Sequence, residues 1–306
     1  MAMTFIYADQ PSLCGEIIAA VKAFEREACA FSFNETDAQE LIAFGADKVY
    51  LLKGDSVRPE DYAKAVAAKV AEELPEAFIL GATIRGRELA ARVAGMRECA
   101  LISEVNWISL GDGVIETERN MYGGAAVLSE GTKGFAVFTV APGKYRACKD
   151  EAHTGRIIEV QVETDRRIRQ IKIEPIIREG VDISKAARIV GVGMGFDKKE
   201  DLVLAQNLAQ ALDAEIASTR PITEDRKWLP PETYVGISGA VIKPELYIGL
   251  GVSGQIQHIY GIRDAKIIVG ININDKAPIF HAADYAILGD LYEIAPLLAE
   301  EVKKAG

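Results

Sequence analysis

The residues best suited to chemistry lie in the second half of the chain, just after short apolar runs. Gly191-Val192-Gly193-Met194-Gly195 follows one such run and precedes a helical pattern. Glycines in that position let a backbone approach a phosphate, and a following helix start supplies unpaired N–H groups. The spacing is GxGxG rather than the full GxGxxG, so a plain tight strand-to-helix turn explains it equally well. A stronger cluster follows Leu246–Gly251: Val252-Ser253-Gly254 runs directly into Gln255-Ile256-Gln257-His258. Ser253 and Gly254 fall where a strand would end, the place where open α/β sheets bind ligands. The serine hydroxyl and the amides after it suit a pyrophosphate, and Gln257 and His258 add donors within one turn. The plainer alternative is a serine helix cap before a solvent-facing Gln-Gln-His run.

Thr219 and Arg220 stand at a third strand end, in Ser218-Thr219-Arg220-Pro221. A guanidinium there hydrogen-bonds or stacks on a flat ring, or makes a surface ion pair. Asn272 and Asp290 close two further apolar runs. Asp290 suits a ribose hydroxyl or a helix N-cap about equally. The number of such strand ends in one half of the chain, rather than any single one, favours a ligand.

Composition narrows the classes. The 306 residues are 49% hydrophobic and 26% charged, the balance of a globular protein with enough core for two domains. Lys plus Arg number 35 against 45 Asp plus Glu, a net charge of −10, which argues against a nucleic-acid binder. No apolar run reaches the ~18–20 residues that cross a bilayer. The start of the chain lacks a basic segment followed by an apolar one, so no secretory signal is read and a cytoplasmic location is expected. Cys14, Cys29, Cys99 and Cys148 form no CxxC pair, and His153, His258 and His281 form no ligand-spaced group. Buried or half-buried thiols are the expected state, without metal.

The elements that must position these residues read as α/β throughout. Thr4–Ala8 is a strand, Ser12 to Arg26 a helix and Lys48–Leu52 a strand. Arg58-Pro59-Glu60-Asp61 opens a helix to Leu74, Ala77–Leu80 is a buried strand, and Gly86–Met96 is a helix. This alternation points to a mostly parallel sheet covered by helices. From Ala100 the chain becomes β-rich and glycine-punctuated. Thr164 to Lys185 is charged and poorly periodic, read as an end strand plus a linker, with the boundary near Ile177–Ile183. The second half then gives strand Arg188–Val192, helix Lys199 to Leu212, strand Ala214–Ala217, and a polar connection through Trp228. Strands in PELYIGLGVSG and KIIVGININ flank a helix-like QIQHIYGI, and Glu293 to Lys304 is a last helix.

These residues also carry a family likeness. The segment PELYIGLGVSGQIQHIYGIRDAKIIVGININDKAPIFHAADYAILGDL resembles the FAD-binding signature of the α subunit of electron-transfer flavoproteins. The likeness extends to Ser218-Thr219-Arg220-Pro221, to Val235-Gly236-Ile237-Ser238-Gly239, and to ATIRGRELAAR and NMYGGAA in the first half. The short bacterial form, of the FixB type, is the most similar. The resemblance implies an N-terminal parallel-sheet α/β domain with a β-rich extension, residues 1–178, contacting a partner subunit. It implies a C-terminal Rossmann-like FAD-binding domain, residues 179–306. Arg220 would lie against the isoalloxazine, the Ser238 hydroxyl would meet flavin N5, and His258 would meet the pyrimidine carbonyl side. Thr219, Val235, Gly236 and Ile237 would belong to the same wall. Ser253, Gly254, Gln255, Ile256 and Gln257 would wrap the flavin and its phosphates. Asn272, Asp290 and Leu291 would meet the adenosine part.

Two residues depart from the family pattern. Met194 stands where an Arg toward the pyrophosphate is usual, and Ile237 where Gln is common. The stretch TEDRKWLP replaces a shorter glycine-containing one, leaving the conformation after Arg220 open. The implied function is a redox carrier rather than an enzyme with its own substrate. It would take electrons from an acyl-CoA dehydrogenase or a related flavoprotein and work as a heterodimer with a β subunit. A stand-alone pyridine-nucleotide oxidoreductase is the alternative, but it needs an acid–base pair that the first half does not offer. A non-redox adenine-nucleotide sensor leaves Arg220, Ser238 and His258 unexplained together.

Overall fold

The computed structural model describes residues 2–111, 113–168, 170–174 and 182–305. It divides into two compact units, Met1–Ile173 and Glu174–Gly306. The boundary expected between residues 178 and 179 lies outside the described residues.

In the first unit the strands are β1 (Met3–Tyr7), β2 (Glu27–Ser32), β3 (Lys48–Lys53), β4 (Ala77–Gly81), β5 (Ala100–Leu110), β6 (Ile115–Met121), β7 (Ala126–Thr132), β8 (Ala136–Val140) and β9 (Arg156–Gln161). Among the described residues they form one sheet in the order β7-β6-β5-β8-β4-β1-β2-β3-β9. All neighbours are parallel except β5–β6 and β6–β7, which build the β-rich extension. Helices α1 (Pro11–Ala23), α2 (Glu35–Ala43), α3 (Ala63–Glu73) and α4 (Ile84–Arg97) cover its faces. Their starts are chemically marked. Pro11 opens α1, the Asn34 side chain accepts from Asp37 N at 2.8 Å, and Thr83 Oγ1 accepts from Gly86 N at 3.0 Å. Part of Thr164–Lys185, where an end strand is expected, lies outside the described residues; among those described, the end strand is β9, earlier in the chain, paired parallel with β3.

The second unit has strands β10 (Arg188–Val192), β11 (Glu215–Ser218), β12 (Leu246–Leu250), β13 (Ile268–Asn272) and β14 (Tyr285–Leu288), and helices α5 (Leu202–Leu212), α6 (Ile256–Ile262), α7 (Ile279–Ala282) and α8 (Leu291–Ala305). The sheet is wholly parallel in the order β11-β10-β12-β13-β14. Period-two alternation sorts its side chains. Val190, Val192, Ile248, Leu250 and Ile271 pack against α5 and α8, while Ile189, Tyr247 and Ile268 face the opposite cluster containing Ile262 and Ile279. Each such aliphatic side chain, fully buried, stabilises the fold by about 1.5–3 kcal/mol. Helices on both faces cover the central strands, while the edge strand β14 stays largely exposed. The order reverses between β10 and β12, which makes a crevice at their carboxyl ends.

Candidate cofactor site

A cavity of about 460 Å³ opens at that reversal. Its wall contains Thr219, Arg220, Val235, Ile237, Ser238, Ser253, Gly254, Gln255, Gln257 and His258, all proposed from sequence, together with Met194, Pro221 and Tyr234. Residues from four separate segments thus converge: three follow β10, β11 and β12, which are adjacent and end on one side, and the fourth is the loop of Tyr234–Ser238. Gly236 stands just behind the wall, with φ +154°, and a Cβ there would lie 3.0 Å from Gln257 O. Ile256 is exposed on the first turn of α6. Tyr234 went unnoticed in the sequence, although it directly precedes the quoted Val-Gly-Ile-Ser-Gly stretch.

The glycines after β10 and β12 hold the floor together. Gly193 N donates to Leu250 O and Gly195 N to Gly251 O, each at 3.0 Å. A Cβ on Gly193 would sit 2.2 Å from Gly251 O, and one on Gly195 would sit 2.7 Å from Gly251 Cα. The GxGxG spacing therefore serves close loop-to-loop packing, and those two amides are already committed. Gly254, with φ +77°, takes a left-handed conformation and leaves room for Ile279 N, which a Cβ would approach to 2.3 Å. Ser253 O accepts from Ile279 N at 3.0 Å.

The polar side chains divide into committed and spare groups. Arg220 Nε donates to Glu224 at 2.6 Å, and its side chain is 64% exposed. That ion pair, with the hydrogen bond first among its causes, raises the guanidinium's pKa further. The pair arises because Pro221–Asp225 forms a π-helical turn, the conformation that TEDRKWLP left open. In the same stretch Arg226 Nη1 donates to Phe196 O at 3.3 Å and Asp197 O at 3.1 Å, and its guanidinium stacks on Trp228 at 4.4 Å. The Ser238 hydroxyl lies 3.1 Å from the Tyr234 hydroxyl. Thr219 Oγ1 is buried without a hydrogen-bond partner, a costly state that a ligand would relieve.

The structure keeps three expected residues away from this wall. Asn272 Nδ2 donates to Val252 O at 2.9 Å, and Asn272 Oδ1 accepts from Asn274 N at 2.9 Å. Asp290 Oδ1 accepts from Tyr292 N at 2.9 Å, the helix-capping alternative for that residue. Leu291 is buried in the core. All three sit at the ends of β13 and β14, along the same open edge of the sheet. Met194 lines the cavity and is 45% exposed, so the side chain at that position does face the site.

A parallel sheet with this reversal, walled by apolar, amide and hydroxyl groups with one cation, defines a nucleotide-cofactor domain. An orphaned hydroxyl on a mixed wall of this kind fits a flavin nucleotide. The domain model described as Electron transfer flavoprotein FAD-binding domain matches residues 182–263, and the Electron transfer flavoprotein domain model matches residues 19–165. The chain is 36% identical over 309 residues to YdiR of Escherichia coli (strain K12), covering 98% of each. It is 36% identical over 300 residues to the protein FixB of Salmonella typhi, covering 96% of each. To FixB of Escherichia coli O157:H7 it is 34% identical over 303 residues, covering 97% of each. The chain belongs to the electron-transfer flavoprotein α-subunit family. Its cofactor is FAD and its role is electron transfer, which leaves the pyridine-nucleotide alternative without support.

Proposed function

We propose that this chain carries one FAD on its second unit and works as the α subunit of a heterodimer with a β subunit, whose contact includes the first unit. The partner's donor is an acyl-CoA dehydrogenase or related flavoprotein, and the pair operates in the cytoplasm, a compartment that suits four unpaired thiols. The observation that carries this reading is the convergence of three strand-end segments, including the orphaned Thr219 hydroxyl, on one cavity. Bound FAD supplies the redox chemistry.

The chain's own residues bind and tune. Thr219 Oγ1 donates to the cofactor and gains the partner it lacks. Arg220 faces the ring and favours negative charge there on reduction, with Glu224 moderating its field. Ser238 offers a hydroxyl toward the ring edge, and Tyr234 beside it orients that hydroxyl. Residues 253–257 follow the ribityl and phosphate chain, using first-turn amides that a helix leaves unpaired. The strand ends carrying Asn272, Asp290 and Leu291 receive the adenosine part.

Among the described residues, no helix is long and apolar enough to cross a membrane. The test is co-expression with a β subunit, followed by flavin counting and a visible spectrum. One FAD lost on mutating the second-unit wall supports the proposal. A heterodimer whose flavin sits only on the β chain overturns it.

A further inference from the structure

The turn that carries Arg220 and the glycine loop that carries Met194 follow neighbouring strands, and a side chain joins them. β10 and β11 stay paired as far as Thr219 N, which donates to Val192 O at 3.0 Å. Past that point Met194 lines the cavity from one loop and Arg220 from the other. Arg226 spans the two loops from behind. Its Nη1 donates to Phe196 O at 3.3 Å and to Asp197 O at 3.1 Å, and its guanidinium lies over the Trp228 ring at 4.4 Å. Neither Arg226 nor Trp228 lines the cavity, so these contacts are internal to the protein.

Both ends of this bridge are held. At one end the fully buried Phe196 packs edge-on against Tyr292, ring centres 6.2 Å apart. Asp197 N donates to the Tyr292 hydroxyl at 2.8 Å, and that hydroxyl donates to Asp201 Oδ2 at 2.7 Å. At the other end Arg226 N donates to Pro221 O at 2.9 Å, closing the π-helical turn that begins beside Arg220. Lys227 takes φ +53°, and beyond it Trp228 N donates to Ile222 O at 3.0 Å. The indole also packs against the core cluster that contains Phe196, which fixes the plate under the guanidinium. A planar guanidinium lies flat on an indole while its N–H groups reach carbonyls, whereas an ammonium of the same charge has no plane to stack. The bridge therefore needs arginine and not merely a positive charge.

We propose that Arg226, laid on Trp228, is a positioning residue for Arg220: it ties the turn presenting Arg220 to the Phe196–Asp197 end of the glycine loop. The tie fixes where the Arg220 guanidinium stands against the flavin. This rests on the FAD reading above and gives a task to TEDRKWLP, the stretch that holds both residues. Arg226 sends no bond to the cofactor and acts through Arg220.

The experiment compares wild type, Arg226→Lys and Trp228→Phe as heterodimers with the β subunit, each with Arg220 and with Arg220→Ala. Arg226→Lys keeps the charge and loses the stack. The flavin potential should then fall, in the direction expected for Arg220→Ala, by about threefold in the one-electron equilibrium, or about 28 mV. FAD should bind about tenfold more weakly, the scale of one hydrogen bond from a charged donor. In the Arg220→Ala background the potential should no longer respond to Arg226→Lys, because such a cycle isolates what one residue does through the other. Trp228→Phe, which keeps every charge, should give the same pattern at about half the size. In the FAD-free full chain, amide hydrogen exchange over residues 193–197 should be about tenfold faster in Arg226→Lys. A wild-type potential in Arg226→Lys, or a shift just as large with Arg220→Ala, overturns the proposal, and unchanged exchange over 193–197 overturns the tie itself. Should Arg226→Lys fail to fold, Trp228→Phe decides by the same criteria. A chain that takes up no FAD overturns the function proposed above and not the tie, which exchange in the FAD-free chain settles.

Discussion

Both units carry a sheet whose parallel part reverses its strand order, between β1 and β4 in the first and between β10 and β12 in the second. Each reversal leaves a cavity at the carboxyl ends of the strands, about 290 Å³ in the first unit and about 460 Å³ in the second. The first is walled by the charged residues Asp9, Asp37 and Arg85, and these largely answer one another's neighbours. Thr83 Oγ1 donates to Asp9 at 2.7 Å, Asn34 Nδ2 to Asp37 at 2.7 Å, and Arg85 pairs with Glu60 at 3.4 Å. The second has one cation, several amides and hydroxyls, and a buried hydroxyl with no partner. Topology makes the crevice, and the loop residues decide whether it is closed on itself or left for a ligand to complete. Two carboxylates also make the first crevice a poor host for phosphates, since like charges repel.

The largest effect should come from breaking the glycine floor of the second unit's crevice. Gly193→Val drives a side chain into Gly251 O, 2.2 Å from the Cβ position. It should destabilise the second unit by roughly 3 kcal/mol and abolish FAD binding. Gly95, in α4 of the first unit, has nothing within 4 Å of its Cβ position. Gly95→Ala should instead stabilise by about 0.5–1 kcal/mol. Thermal melts of the two variants give the contrast, and equal melting temperatures would erase it.

Adding charge to the second crevice should sharpen the difference. Met194→Arg places a cation on the cavity wall, where it should tighten FAD binding by up to ~1.5–3 kcal/mol, with the gain shrinking in high salt. Arg226 is held by carbonyls behind Phe196 and is not on that wall, so it does not fill the same role. Dissociation constants at two salt concentrations give the answer, and unchanged affinity at low salt removes the electrostatic vacancy.

A smaller effect concerns the single cation. Arg220→Ala should lower the flavin reduction potential, because a positive charge favours the electron-rich ring, and Glu224→Gln should raise it. Each shift should amount to a few tens of millivolts, about 59 mV being tenfold for one electron. A redox titration with both variants at the wild-type value would reduce this pair to a surface ion pair of little energetic consequence.

The smallest effect separates a ligand role from a structural one. Thr219→Val removes a hydroxyl that has no protein partner, so the FAD-free chain should keep its stability or gain slightly. FAD affinity should fall by about 1 kcal/mol, the net worth of one hydrogen bond. A loss of stability without a loss of affinity would show that the hydroxyl serves the fold.

The sequence by itself determined the α/β alternation, the parallel core, the β-rich extension and most of the site wall, because periodicity, glycines and a long signature are local properties. It did not reveal β2 or α2, and showed β14 only as the strand end placed at Asp290. The residues EACAFS of β2 are small and weakly β-forming, α2 buries only Ala38 and Leu41, and β14 has four residues, so their pattern is weak until neighbouring strands flank them. The domain boundary expected near residue 178 from a loss of periodicity lies outside the described residues. What tertiary structure alone decided was which donors remain spare. The amides of Gly193 and Gly195, the Asn272 side chain and both nitrogens of His258 look equally available in one dimension. Most are committed by a partner 20 or more residues away; the exceptions are Asn272 Oδ1, which accepts from Asn274 N, and His258 Nε2, which the Tyr247 hydroxyl reaches across 11 residues of chain. A hydrogen-bonding group has a fixed capacity, and only the folded neighbourhood determines how much of it is already used.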